Sequence, residues 1–288
     1  MTIEEICTVR QNVRLSDYTS VKIGGIADFI AYPKWNEFYP TLKSLTDTNI
    51  PYVVLGRGSN TLISDDGYRG VVVSTRRLEG VEVFENELRC QCGASLVNVA
   101  RIAKSHSLTG LEWAVGIPAS VGGAIVTNAG AWGGCMADVT VGAVVFSNKE
   151  RYVTAEELGF TYRSSRVESL GIVGEVILRL KKGNVAEIEK KEREYVSRRQ
   201  STQPKGYSLG SVFKRHNGVS AGYYVDRAGL KGKRIGGAEV SKLHAGFIVN
   251  VGGATARDYY ELIRYVENTV EEKFGITLER EIKFLGTI

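Results

Sequence analysis

The chain has 288 residues, of which 43% are hydrophobic, 24% charged and 9% aromatic. That balance excludes wholesale disorder, coiled coil and collagen-like repeats, and the length leads us to expect two or three lobes. The net charge of +5, from 37 Lys+Arg against 32 Asp+Glu, suits a small polyanionic ligand and is too dispersed to argue for nucleic acid.

The opening residues, MTIEEICTVRQ, lack the basic and apolar blocks of a secretory signal. No apolar run reaches the ~20 residues of a membrane span, so a cytoplasmic address is expected. Residues 1–48 read as a short strand-bearing piece with a helix around Trp35–Leu45. PYVVLG (51–56) reads as a buried strand running into a glycine turn, and GVVVST (70–75) as a second β-branched strand. In LRCQC, Cys90 and Cys92 share a strand face, and packing is a better account of them than metal or redox chemistry. No metal site is expected from the four cysteines and three histidines.

Leu96, Val99, Ala100 and Ala103 have helical spacing. A glycine-dense stretch, 110–134, follows. Glu187 to Arg199 is charged and helix-prone, like a connector. Near the end, AGFIVNVG reads as a strand. Thr255-x-x-Asp258 starts a helix whose apolar stripe is Tyr259, Leu262, Ile263, Val266 and Val270, and Gly275 stops it. The expected class is α+β, divided into 1–48, 49–186 and 187–288, with the last strand (278–288) able to return to the site.

Glycine makes up 33 of the 288 residues, and the excess is clustered. GRGSN (56–60) follows a strand, and GIPASVGGA (116–124) and NAGAWGG (128–134) form two more loops. Glycines let backbone N–H groups approach a phosphate closely, and Ser and Asn add neutral donors. Thr61 stands where a GxGxxG motif needs its third glycine, and no GK[ST] is present. One such loop is more simply a tight turn; three within 80 residues favour a large phosphate-bearing cofactor.

These loops resemble the FAD-binding domain of the vanillyl-alcohol-oxidase and para-cresol-methylhydroxylase type. The order YTSVKIGG (18–25), GRGSN, GIPASVGGA, NAGAWGG, YRSS (162–165), Gln203-Pro204, GSVFK (210–214), AGLKGKRIGGAEVS (228–241), HAGFIVN (244–250) and LERE (278–281) is similar to the UDP-N-acetylenolpyruvoylglucosamine reductase family, in its shorter branch. The match runs over about residues 15–286. The resemblance implies a two-lobed FAD-binding domain and a C-terminal α+β substrate domain. It implies non-covalent FAD, with NADPH reducing the flavin. UDP-N-acetylglucosamine enolpyruvate would then be reduced to UDP-N-acetylmuramate for peptidoglycan, by a monomer with no nucleic-acid or membrane partner.

By the same resemblance Arg163 is the catalytic arginine that forks onto the substrate carboxylate, and Ser211 is the proton donor to an enolate-like carbon. Glu281 is the third catalytic residue. Glu279 shares its face and cannot be separated from it by pattern, and the family motif places the carboxyl second. The family assigns Gly56, Arg57, Gly58, Ser59 and Asn60 to the FAD pyrophosphate. Gly116, Ser120, Gly122, Gly123 and Asn128 form a second cradle, Lys22, Gly24 and Gly25 close the site, and Val173 meets the flavin through its backbone. Tyr162, Gln203, Lys214 and Lys231 are candidates for the UDP-sugar or NADPH phosphates. His106 and His244 read as structural.

The chain departs from the family pattern at Arg215-His216-Asn217, Tyr207-Ser208-Leu209, Trp132 and Gly246. Two other readings compete. A flavin oxidase of the same superfamily, acting on sugars or lactones, often tethers its flavin through His or Cys. A non-catalytic nucleotide-sugar sensor would have no need of the proton donor Ser211.

Overall fold

The computed structural model describes residues 2–287. It is an α+β chain that divides into two compact units: residues 1–10, 29–57 and 71–199, and residues 11–28, 58–70 and 200–288. These units do not coincide with the three segments expected from sequence. Residues 11–28 and 58–70 group with the C-terminal part, and residues 187–199 group with the first unit.

The first unit is built on a five-stranded antiparallel sheet. Its order is Glu150–Thr154, Thr140–Phe146, Ile172–Arg179, Glu87–Gln91, Val81–Phe84. Cys90, Val145, Val153, Val176 and Leu178 are buried from these strands, joined by Phe38 and Leu42 of helix Trp35–Asp47 and by Leu96, Val99, Ala100 and Ala103 of helix Leu96–Ser105. Burial pushes the Cys90 and Cys92 thiols up to about 12, the behaviour of packed hydrophobes. Strands Tyr52–Leu55 and Tyr68–Ser74 run parallel, with Leu55 opposite Ser74. Gly56 and Thr75 are therefore the next residues past the carboxyl ends of two neighbouring parallel strands, where α/β sheets bind their ligands.

Helix Val185–Thr202 covers the charged connector seen in the sequence. Its polar surface is solvated, and it is tied down by Lys104 Nζ to Glu192 Oε2 at 2.7 Å.

The second unit carries a four-stranded antiparallel sheet in the order Tyr207–Ser211, Phe247–Asn250, Ala238–Val240, Arg234–Ile235. Helix Ala256–Phe274 lays its stripe of Tyr259, Leu262, Ile263, Val266 and Val270 into this unit's core. Thr255 Oγ1 accepts from the Asp258 N–H at 3.0 Å and Asp258 Oδ2 accepts from the Thr255 N–H at 3.0 Å, the reciprocal box read from the sequence. Asp65 adds a second cap, accepting from the N–H groups of Ala256 and Arg257. The left-handed Gly275 ends the helix. Strand Lys283–Leu285 pairs in parallel with Thr61–Ile63, directly after GRGSN.

Candidate functional site

In the first unit, three segments gather on the short helix Val121–Val126. Ser120 caps it, accepting from the Gly123 N–H at 3.3 Å. Its hydroxyl also overlaps the place a Cβ on Gly56 would take, so the first and second glycine loops touch, and any side chain at 56 must push the Ser120 hydroxyl aside. A Cβ on Gly122 would stand 2.9 Å from Cys92 Cβ, so this loop also demands the absence of a side chain.

Asn128, buried and left-handed at φ 41°, spends its amide on structure: Nδ2 donates to the Thr161 carbonyl at 2.9 Å and Oδ1 accepts from the Ala137 N–H at 3.0 Å. What remains for a ligand there is backbone. The clamp on Thr161 bears directly on Arg163. Thr161 and Ser164 exchange backbone hydrogen bonds around Tyr162 and Arg163, at 3.0 and 3.3 Å, and Ser165 Oγ donates to the Val126 carbonyl. Arg163 sits at the corner with φ 55°, a conformation that turns normally give to glycine. A left-handed, non-glycine corner stores strain of the kind that clusters at functional sites. Its guanidinium lies 5.6 Å from the Tyr162 ring centre. Gly116 faces the Arg199 side chain, and Trp132, also left-handed, is covered by Arg198 at 4.6 Å and stacked on Tyr195. Val173 is the second residue of strand Ile172–Arg179 and is buried. Arg57 turns its guanidinium to Glu79, 3.0 Å away.

The second unit assembles the remaining residues through main-chain bonds. The Ser20 N–H donates to the Gly58 carbonyl at 3.1 Å and the Gly25 N–H to the Ser64 carbonyl at 2.8 Å, which lays Lys22, Gly24 and Gly25 along the GSN half of the first loop. Gly58 is left-handed (φ 59°), and a Cβ there would overlap the Tyr18 carbonyl oxygen. Lys22 is itself left-handed at φ 57°. Asn60 Nδ2 donates to the Glu281 carbonyl at 3.1 Å, and the Glu281 N–H donates to the Val212 carbonyl at 2.8 Å. Glu281 is thus held on one side by the glycine loop and on the other by the residue after Ser211. Ser211 is re-aimed by a bulge, since the register to strand Phe247–Asn250 slips between Ser208 and Ser211 and Gly210 is left-handed.

Glu279 is drawn elsewhere, to an ion pair with Lys214 at 2.5 Å. Lys231 pairs with Asp226 at 2.6 Å and lines a groove of about 690 Å³ with Tyr265 and Lys273. That groove adjoins Arg234–Ile235, the edge strand opposite the one that bears Ser211. Gln203 lies just past the end of helix Val185–Thr202.

Sequence reasoning missed two features. The departure at Arg215-His216-Asn217 is a two-residue hairpin: His216 and Val219 exchange both backbone bonds around left-handed Asn217 and Gly218. The Asn-Gly pair is its signal. The second is Thr75, which no motif marks. His244 is structural, its Nδ1 accepting from the Gly246 N–H at 3.1 Å. Among the described residues no group of three or more His, Cys, Asp or Glu could hold a metal, and no helix is long and apolar enough to cross a membrane.

Gly56 and Gly122, each crowded where a Cβ would stand, with the Ser120 hydroxyl beside Gly56, fit the pyrophosphate of a dinucleotide. Residues 29–156 match the family described as FAD binding domain, and residues 202–285 match the UDP-N-acetylenolpyruvoylglucosamine reductase C-terminal domain. Together they define a flavin-dependent oxidoreductase that uses FAD. The chain is 46% identical to UDP-N-acetylenolpyruvoylglucosamine reductase 2 of Bacillus thuringiensis subsp. konkukian, covering 96% of this chain and 93% of that one. It is 43% identical to the reductase of Shouchella clausii, over 97% and 91%. The crystal structure of the enzyme from Thermus caldophilus superposes with a TM-score of 0.85 at 37% identity, covering 97% of this chain and 100% of that one. The chain belongs to the UDP-N-acetylenolpyruvoylglucosamine reductase family.

Proposed function

We propose that this enzyme reduces the enolpyruvyl group of UDP-N-acetylglucosamine enolpyruvate to give UDP-N-acetylmuramate, with NADPH as reductant, in the cytoplasm and as a monomer. Bound FAD supplies the hydride chemistry. Gly56, Gly58, Ser59, Asn60, Gly116, Ser120, Gly122 and Gly123 hold its phosphates. Lys22, Gly24, Gly25 and the backbones of Asn128 and Val173 complete the cradle, and Arg57 contributes charge.

Hydride addition to an enol ether is slow unless charge spreads into the adjoining carboxylate. Arg163 is charged at any working pH and can take that carboxylate in two parallel hydrogen bonds. The Ser211 hydroxyl delivers the proton to the carbon that carries the developing negative charge. Glu281 acts beside Ser211 at the same substrate group, while Tyr162, Gln203 and Lys214 grip the nucleotide sugar or NADPH. Lys231 is assigned to the same ligands, as a grip on phosphate more distant from Ser211.

The observation that carries this reading is the Glu281 main chain, bonded to both Asn60 and Val212. It supports a carboxylate, a hydroxyl and a phosphate loop acting together. The test is an anaerobic stopped-flow trace of the flavin band. NADPH should bleach the yellow protein, and UDP-N-acetylglucosamine enolpyruvate should restore the oxidised spectrum without oxygen. Recovery only on admitting air would make the protein an oxidase instead.

A further inference from the structure

Thr75 is 3% exposed, and its hydroxyl oxygen is buried without a hydrogen-bond partner. A buried hydroxyl with no partner loses its hydration and gains nothing in return, so such groups are rare and ask for an explanation. The neighbours of Thr75 supply one. Leu55 and Ser74 face each other at the ends of two parallel strands, which puts Gly56 and Thr75 side by side just past those ends. The position a Cβ on Gly56 would occupy overlaps Ser120 Oγ and lies 3.9 Å from Thr75 Oγ1. Two buried hydroxyls from separate loops thus flank the same glycine. Ser120 already accepts from the Gly123 N–H, which leaves its hydrogen to donate, and Thr75 has its hydrogen and both lone pairs unused. A site with two hydroxyl donors beside a glycine is matched by a group that only accepts: a phosphate oxygen.

We infer that Thr75 is a further FAD-binding residue, donating its hydroxyl proton to the pyrophosphate beside Ser120. This rests on the FAD reading of the glycine loops and adds to it a residue outside them. The shape of Thr75 matters little to the role; its hydroxyl is the working part.

Release of FAD from the purified holoenzyme is followed by the rise in flavin fluorescence on dilution, for the wild type, Thr75→Val and Thr75→Ser. A hydrogen bond to a charged acceptor makes Thr75→Val release FAD roughly tenfold or more faster, with Thr75→Ser within about twofold of wild type. Melting with and without flavin gives a second readout. Thr75→Val lowers the melting temperature of the flavin-loaded protein and leaves that of the flavin-free protein equal or higher, because there it removes only an unpaired polar group. Unchanged release from Thr75→Val overturns the inference. So does equal destabilisation of the loaded and free forms, which would mean that the hydroxyl serves the fold. A wild-type protein that carries no flavin and takes up none would sink the FAD reading itself.

Discussion

The Lys214 ammonium lies 2.5 Å from a carboxylate oxygen of Glu279, and the Lys214 N–H also donates to the Glu279 carbonyl at 2.8 Å. Two glutamates that the sequence cannot tell apart are thereby given different work. Glu279 is a mostly exposed partner of a lysine, and Glu281 is strapped between Asn60 and Val212. Glu281→Gln should slow reoxidation of the reduced flavin by the enolpyruvyl substrate roughly 10²–10⁴-fold. Glu279→Gln should change it less than about tenfold. Single-turnover traces of both variants decide; the reverse order would reassign the carboxylate.

Ser211→Ala should separate the two half-reactions. Bleaching of the flavin by NADPH should keep its rate, because no proton is delivered to carbon in that step. Recovery with substrate should fall by orders of magnitude. Equal second-half rates in the variant and wild type would remove Ser211 from the chemistry.

Gly56→Ala places a methyl group on the Ser120 hydroxyl. Relief requires the Ser120 hydroxyl to turn away, which gives up its bond from the Gly123 N–H. The variant should elute with far less bound flavin than wild type, read as the ratio of absorbance at 450 nm to 280 nm. A fully yellow Gly56→Ala protein would show that the two loops can separate at little cost.

Burial holds the His244 imidazole below its ordinary pKa, and its Nδ1 accepts from the Gly246 N–H, which requires the neutral ring. The unfolded chain therefore takes up a proton near pH 6.5 that the folded chain refuses until lower pH. This contribution to stability is complete above about 6.5 and is lost as pH falls through the depressed folded value. Melting temperatures from pH 7.5 to 5 should decline less steeply for His244→Asn, which keeps an acceptor without titrating. Parallel curves would assign the acid sensitivity to other groups.

Features encoded by near neighbours were legible in the sequence. The helix Ala256–Phe274 could be drawn from Thr255, its apolar stripe and Gly275, and the strands around Val53 and Val72 from their β-branched runs. The glycine loops were legible as a cradle because glycine has few other reasons to cluster. Partnership across long separations was not. Nothing local in LKGK says that Lys231 turns to Asp226 beside the edge strand opposite Ser211. Nothing in Thr75 says that the strand before it lies parallel to the one before Gly56. The Asn217-Gly218 hairpin is encoded locally, since an Asn-Gly pair alone favours a two-residue turn.

The bond from Asn60 to Glu281 spans 221 positions of chain, and strand Thr61–Ile63 takes its parallel partner from Lys283–Leu285. During synthesis, the first glycine loop emerges long before the residues that fasten it. Closing so long a loop is entropically costly and slow compared with local contacts. The GSN half of the loop therefore matures late, after residues 281–285 have been made and docked. Flavin loading should accordingly be among the last events in the making of this enzyme.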